Sequence, residues 1–470
     1  MKFFLLFTSF LLFTSFLLLG ACSSIPIHKN ENQQYAKVNE DKLKRHLIYI
    51  NKNGDLIDPY SKKVIKDVDE YVNNIFGAYQ RSDKSKITIF IHGGLNTFQN
   101  ATAKANQILS NYDDTEKNYI ILVGWQAGPF TNYLDHLFFI RGGERRSVLG
   151  PLTSPFILVE DTARSVAHAP RATTEAVLAQ SSVPISIESK EETAYHTNIE
   201  NLKKMPENEK IHIHITGETR GLNFKNLSSL VNPIKFVAAP FVDGFGHGTW
   251  NSLSRRTELL ITKDSAFTKM EDAKTALEKF LDKVDQEPGP TKPEITLIGH
   301  SMGSMVANNI LMRKPNLNYK NIVYMGAAAP LKDVESNVVP ILRKNSEVEF
   351  YNLSLDPYRE LSESKAFDSV PRGSLLIWID TYLTTIKSFT DRTSGGWFNM
   401  VRAADTIFPD SVKKQVHLTK FGFGAGPQKH GEFDEYRFWK HAYWTGNERC
   451  GLILLDKPIN ANLETECKTK

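Results

Sequence analysis

The chain has 470 residues, a formal net charge of +4 at neutral pH and 41% hydrophobic residues. This apolar fraction is sufficient for a packed core and excludes a largely disordered chain. The length allows one large domain with insertions, or two to three ordinary domains. Acidic and basic residues are interspersed without a long basic run, so the charge pattern does not indicate a nucleic-acid-binding protein.

The N-terminus has the pattern of an export signal. Lys2 precedes an apolar stretch over residues 3–19, and the small residues Gly20 and Ala21 stand directly before Cys22. A basic start, an apolar centre and small residues at the end are typical of a secretory signal peptide. The alternative is a membrane-spanning helix, for which the apolar stretch is slightly short.

The segment that ends at Cys22 resembles the lipobox of bacterial lipoproteins. The resemblance implies that residues 1–21 are removed and that the Cys22 thiol carries diacylglycerol, which anchors the protein in a membrane of the cell envelope. Ser23 and Ser24 follow without an aspartate at the second mature position. In that family this pattern implies transport to the outer membrane, with the periplasmic or the surface face left open. We expect the polar residues 22–45 to form a flexible tether.

Cys450 and Cys467 are the two other cysteines of the chain. An exported protein meets an oxidising compartment, where a pair that closes a short loop can form a disulfide. Since no other partner exists once Cys22 is lipidated, we predict a Cys450–Cys467 bridge, worth about 3 kcal/mol in the chain-entropy model. The alternative is two free thiols.

The chemical centre of the sequence is Gly299-His300-Ser301-Met302-Gly303, which lies between an apolar run over 295–298 and a helix-compatible stretch over 304–311. Strand, sharp turn and helix around Gly-x-Ser-x-Gly are the context of a nucleophile elbow. The serine at the apex needs a positive φ, and side chains at Gly299 and Gly303 would collide with the neighbouring strand and helix. The N–H of Met302, which opens the helix, is the first predicted oxyanion donor.

A second N–H donor is expected in the loop after an earlier strand. The apolar run over 87–91 ends at His92-Gly93-Gly94, where two glycines allow close approach of the backbone. We predict that the N–H of Gly94 is this donor, with Leu95 as the nearest alternative.

The predicted acid is Asp356, which follows a strand over 347–353. An aspartate just beyond the carboxyl end of a parallel strand lies on the ligand-binding side of such a sheet. Asp333, after the preceding strand, is the alternative. Either residue could instead cap a helix or a turn.

The predicted base is His430, in the loop after the last strand at 415–421. The order serine, acid, histidine along the chain is the one that accompanies a Gly-x-Ser-x-Gly elbow. His417 lies within that strand and His441 on a terminal helix, so both are weaker candidates.

Long insertions separate the predicted core strands, at about 126–264 and 358–412. A parallel α/β unit needs about thirty residues between strands, and the first insertion is several times longer. It could form a mobile apolar cap or ordinary core packing of an enlarged scaffold. His212 and His214 within it face one side of a short strand. Without a third ligand cluster or a His-Glu-x-x-His motif, we predict no metal site.

Over residues 87–125 and 295–433, these motifs and their order resemble the α/β-hydrolase-fold serine hydrolases of the esterase and lipase type. The resemblance implies an α/β domain over residues 46–470, with a mostly parallel, doubly wound sheet and helices on both faces. It also implies that Ser301, His430 and Asp356 cleave carboxylic esters through an acyl-enzyme, without a cofactor. The lipid anchor and the apolar insertions favour a lipidic ester. The alternatives are an acyltransferase, thioesterase or peptidase on the same fold, or a non-catalytic lipid-anchored binding protein of the envelope.

Overall fold

A computed structural model of the chain describes residues 40–94, 96–112, 118–141, 144–145, 149–182, 190–206, 209–218, 234–263, 274–363 and 370–456. The predicted signal peptide, Cys22, residues 22–39 of the predicted tether, Leu95 and Cys467 lie outside the described residues. Within the described ranges, no helix is both long enough and apolar enough to cross a membrane.

In the part of the chain that the structure describes, eight strands form one sheet, and all pairings between these strands are parallel. They are β1 (Leu47–Ile50), β2 (Lys86–Ile91), β3 (Asn118–Trp125), β6 (His212–Thr216), β7 (Glu294–His300), β8 (Tyr319–Met325), β9 (Glu349–Leu355) and β10 (Val416–Phe421). Their order across the sheet is β1-β3-β2-β7-β8-β9-β10-β6. A separate antiparallel pair consists of β4 (Ile140–Arg141) and β5 (Glu144–Arg145).

Helices connect the strands. They are α1 (Glu40–His46), α2 (Val68–Gln80), α3 (Phe98–Asn111), α4 (Pro129–Phe138), α5 (Leu149–Ser182), α6 (Lys190–Lys203), α7 (Ile234–Leu259), α8 (Ala276–Gln286), α9 (Gly303–Arg313), α10 (Leu331–Asp333), α11 (Val339–Lys344), α12 (Pro357–Ser362), α13 (Leu375–Trp378), α14 (Trp397–Ile407), α15 (Asp410–Lys413) and α16 (His441–Trp444). Short 3₁₀ segments lie at Gly289–Thr291, Phe389–Asp391 and His430–Glu435, and π-helical segments at Val334–Val338 and Ile379–Leu383.

Apolar residues pack on both faces of the sheet. Ile89 and Ile91 of β2 belong to one buried cluster, together with residues of α2, α8, α9 and α14. Phe90, between them, belongs to the other cluster, together with residues of α1, α3 and α16. Because successive side chains of a strand point to opposite faces, a strand covered by helices on both sides is a continuous apolar run. The prediction of an α/β fold with a parallel sheet and helices on both faces is confirmed at this level.

Two regular elements lie within segments that the sequence assigned to the tether and to the first insertion. Residues 40–45, assigned to the tether, form most of α1, and Leu43 is fully buried in the second cluster. Among the described residues the folded domain therefore begins at Glu40. The first insertion is also more than a cap, because its strand β6 pairs with β10 and forms an edge of the main sheet.

The remaining predicted features are partly described. Residues of α14, in the second insertion, are core residues: Met400 and Ala404 are fully buried. Cys450 is disulfide-bonded, and its predicted partner Cys467 lies outside the described residues.

Candidate active site

Ser301 stands at the apex of the turn between β7 and α9, with φ of 52°. Few non-glycine residues adopt this left-handed conformation, so surrounding contacts must hold it. The Ser301 N–H donates to the Met325 carbonyl at 2.8 Å. The Ser301 carbonyl accepts from the Ser304 hydroxyl at 2.6 Å and from the Ala328 N–H at 3.1 Å. The serine backbone is thus bonded to the end of β8 and to the first turn of α9.

The two glycines of the motif lie where no side chain fits. A Cβ on Gly303 would be 2.2 Å from the carbonyl oxygen of Ile91, at the end of β2. A Cβ on Gly299 would be 2.7 Å from both Cα and N of Ser304. These are the neighbouring strand and helix with which the sequence predicted a collision.

His430 lies next to the serine. Its Nε2 is 2.8 Å from Ser301 Oγ, and both residues are buried. The alternatives have other partners: His417 Nε2 is 2.8 Å from Glu349 Oε2, and His441 Nε2 is 3.0 Å from the Tyr351 hydroxyl. The structure therefore brings His430 to the serine, through the loop that follows β10.

Asp356, the predicted acid, has Lys420 and the Tyr358 N–H as its hydrogen-bond partners. It is fully buried, and its Oδ2 accepts from Lys420 Nζ at 2.8 Å, while Oδ1 caps α12 by accepting from the Tyr358 N–H at 3.0 Å. Burial raises the pKa of the Asp356 carboxyl, and Lys420 opposes that shift. The assignment of Asp356 as the partner of His430 needs correction, because this carboxylate is the counterion of a buried lysine. Asp333, the alternative, lies in α10, and burial raises its pKa.

The carboxylate that faces His430 belongs to Glu360, one turn further along α12. Glu360 Oε1 is 3.9 Å from His430 Nδ1, and Glu360 is 2% exposed. Neither carboxylate oxygen of Glu360, nor His430 Nδ1, has a hydrogen-bond partner within the described part of the chain. Burial alone would lower the pKa of the His430 imidazole, but Glu360 and then Glu363 outweigh it, so this pKa is raised. Ser301 thus contacts His430, and His430 in turn faces Glu360, so the three side chains are arranged in the order serine, histidine, acid.

The backbone of His430 is held on both sides. Glu363 Oε2 accepts from its N–H at 2.8 Å, and His300 Nε2 donates to its carbonyl at 3.0 Å. His300 Nδ1 is 3.7 Å from Asp434 Oδ2, and Asp434 Oδ1 is 3.1 Å from Lys104 Nζ. Although burial opposes ionisation of Asp434, Lys104 and His300 hold the pKa of its carboxyl well below the usual range. His300, the residue that precedes the serine, thus holds the loop that carries His430.

The loop after β2 lies against the serine. A Cβ on Gly93 would be 3.0 Å from Ser301 Cβ, and one on Gly94 would be 2.4 Å from Met302 Sδ. The His92 ring shapes this loop: its Nδ1 donates to the Gly93 carbonyl at 2.5 Å, and its Nε2 accepts from the Trp125 N–H at 3.0 Å. Burial lowers the pKa of His92 to about 4, which keeps the ring neutral, as these two bonds require.

The two predicted oxyanion donors are available. Neither the Gly94 N–H nor the Met302 N–H donates a hydrogen bond to another described residue. Leu95, the alternative donor, lies outside the described residues. The strand order also favours a ligand here, because β2 and β7 are neighbours at the point where the chain changes direction across the sheet.

The two histidines of β6 lie beside His417 of β10. His214 Nε2 is 3.5 Å from His417 Nδ1, and His212 stacks on His417 with ring centroids 4.6 Å apart. Among the described residues, no group of three or more His, Cys, Asp or Glu side chains could hold a metal ion.

Sequence reasoning missed Glu360, Glu363 and the pair His300 and Asp434. A signal for Glu360 existed: an aspartate before Pro357 is typical of a helix cap, and a carboxylate four residues later lies one turn into that helix.

No protein-family model, curated protein or solved structure matches the chain.

Proposed function

We propose that the protein is a serine hydrolase of the α/β-hydrolase type that cleaves carboxylic esters. The observation that carries the proposal is Ser301, held at positive φ with its Oγ 2.8 Å from His430 Nε2. A strained, buried serine next to a base has no purpose in a binding module, whereas an acyl-transfer enzyme needs both. This argues against the non-catalytic alternative.

The mechanism follows from the contacts. His430 Nε2 takes the proton of Ser301 Oγ as this oxygen attacks the ester carbonyl, and the resulting imidazolium is stabilised by Glu360. The N–H groups of Gly94 and Met302 stabilise the oxyanion of the tetrahedral intermediate. His430 then protonates the leaving alcohol, which yields an acyl-Ser301, and water activated by the same base releases the acid. These steps require no cofactor.

The proposed substrate is a lipidic ester. It follows from the lipid anchor that the sequence predicts at Cys22, which would hold the enzyme at a membrane of the envelope, proposed to be the outer membrane. Hydrolysis of nitrophenyl esters of increasing acyl length tests the preference. Adding short alcohols or thiols as competing acceptors would separate hydrolysis from acyl transfer, because an acyltransferase would give the new ester or thioester instead of free acid.

Fluorophosphonate labelling of the mature full-length protein, followed by peptide mapping, tests the proposal directly. We expect one labelled peptide, which contains Ser301, and no label in Ser301→Ala. His430→Ala should label much more slowly, because the serine loses its base. Ser336→Ala, at a hydroxyl that donates to the Asp333 carbonyl, is the matched control and should label like the parent. Folded protein that takes no label, with or without lipid present, would contradict the proposal.

A further inference from the structure

Exposed large apolar side chains are concentrated on α5. They recur at helical spacing and so lie on one face, which we call the apolar face of α5; its members are Leu149, Leu152, Phe156, Val159, Val166 and Val177. Phe156 is 75% exposed and Leu152 69%. At about 1.5 Å per residue this face is roughly 40 Å long. Exposed apolar surface of this extent marks an interaction site in a natural protein.

The opposite face of α5 is bonded to α7, and these bonds prevent α5 from rotating its apolar face toward the core. Asp243 of α7 is fully buried and is bound by Arg164 Nε at 3.0 Å, by His168 Nδ1 at 2.8 Å and by Arg171, all from α5. Rotation of α5 would leave the Asp243 carboxylate buried without its partners, which is strongly unfavourable. The exposure of the apolar face is therefore built into the packing of α5.

The chemistry of this face fits a lipid bilayer better than water. Residues 149–159 contain no charged side chain. Of the charged groups in the following turns, Glu160 and Glu175 are exposed, whereas Asp161, Arg164 and Arg171 are directed at Tyr133, His136 and Asp243 of the neighbouring helices. An interfacial helix places its apolar side at the boundary of headgroups and acyl chains and its polar side away from it.

The chain before the domain is long enough to allow this contact. Residues 23–39 could extend over roughly 60 Å between a lipidated Cys22 and the start of α1 at Glu40. The strand after α1, β1, leads to Lys52, whose Nζ is 3.0 Å from Asp135 Oδ1 of α4, and Arg256 of α7 contacts the same carboxylate. The predicted tether therefore enters the domain through α1 and β1, and β1 leads directly to α4 and α7, the helices that contact α5.

We propose that the apolar face of α5 lies on the membrane to which the lipid anchor attaches the protein. The proposal rests on the predicted anchor and does not depend on hydrolase activity. The anchor supplies attachment, and the face supplies a defined orientation of the domain on the bilayer.

Site-directed fluorescence in vesicles tests the proposal. The mature lipoprotein is reconstituted in phosphatidylcholine and phosphatidylglycerol vesicles, with an environment-sensitive fluorophore on Phe156→Cys or on Met312→Cys. Met312, on α9, is also apolar and is 58% exposed, so it is a matched control. Cys450 is disulfide-bonded, and the parent protein serves as the labelling blank. We expect blue-shifted emission at position 156 and at least twofold quenching there by lipids spin-labelled in the acyl chain, with neither effect at position 312.

Each other outcome overturns the proposal in a recognisable way. Equal or absent quenching at both positions would show that the domain has no preferred face on the membrane. A blue shift at position 156 that is insensitive to spin-labelled lipid and disappears at low protein-to-lipid ratio would identify a second copy of the chain as the partner. Protein that does not float with the vesicles would refute the anchor and the docking together. Fluorophosphonate labelling of the same samples reports the proposed function separately.

Discussion

Replacement of Glu360 by glutamine tests which carboxylate serves His430. The carboxylate and the imidazolium that forms during catalysis are 3.9 Å apart in a nearly inaccessible site. At an effective dielectric constant of about 20, two unit charges at this distance attract each other by about 4 kcal/mol. Since 1.4 kcal/mol corresponds to roughly a tenfold change in rate, Glu360→Gln should lower kcat by about a thousandfold. KM should change little, because the charge pair exists mainly in the transition state.

Asp356→Asn is the matched control, at the N-cap of the same helix and with the same loss of charge. It leaves the buried Lys420 ammonium without its counterion, which should lower the free energy of unfolding by about 3–5 kcal/mol. Its kcat should nevertheless stay within a few-fold of the parent at temperatures where it is folded. Steady-state hydrolysis of a short nitrophenyl ester, together with urea unfolding, separates the two effects. If Asp356→Asn lost a thousandfold in kcat while Glu360→Gln remained active, the assignment of Glu360 would be refuted.

Three further predictions concern the same site. Because Glu360 raises the pKa of His430 above its ordinary value of 6.5, kcat/KM should fall as the pH drops through a midpoint above 6.5, where His430 becomes protonated. In Glu360→Gln that midpoint should move to lower pH, since only Glu363 then opposes the effect of burial on the His430 pKa; a pH–rate profile with an unmoved midpoint would contradict this. Gly303→Ala places a methyl group 2.2 Å from the Ile91 carbonyl oxygen, so it should lower the free energy of unfolding by roughly 1–3 kcal/mol and abolish fluorophosphonate labelling. Gly289→Ala is the control, because a Cβ there has nothing within 4 Å. Thermal unfolding and labelling assays should show no change in its stability or its labelling. Asp434→Asn weakens the support of His300 and should lower kcat roughly ten- to a hundredfold with little change in KM, because a small displacement of the base is costly; unchanged kinetics would show that His300 holds the loop without Asp434.

The conformation of Ser301 could be predicted from the sequence because its geometry is local. Five consecutive residues between a strand and a helix determine the φ of Ser301 and the need for glycine at positions 299 and 303. The buried strands β2, β7 and β9 could be predicted equally well. Strands covered on both faces are apolar runs, which can be recognised without knowing the neighbouring strands. The prediction succeeded where the cause lies within a few residues.

The role of β6 could not be read in the same way. Its residues alternate between histidine and isoleucine, which is typical of a half-covered strand and does not indicate where the strand pairs. Its partner β10 lies about two hundred residues further along the chain, and Ile213 is paired with Leu418. Pairing over such a distance depends on the placement of α5, α6 and α7, so the segment was assigned to an insertion.

The error at Asp356 has a different origin. The place of Asp356 beyond the end of β9 was predicted correctly, but its bonding partner is Lys420 and was not predicted. Asp356 does lie just beyond β9, on the side of the sheet where the serine and the histidine meet. The sequence also contains the reason why it is unavailable: Lys420 stands in the apolar strand β10, and a lysine buried there requires a carboxylate. Lys420 is paired with Ser354 in register, two residues before Asp356, so the aspartate at the end of the adjacent strand is the natural counterion. Once Asp356 neutralises Lys420 and caps α12, the next carboxylate on that helix, Glu360, remains to face His430. A buried cation in a neighbouring strand is therefore a criterion for rejecting an acid that position alone would favour.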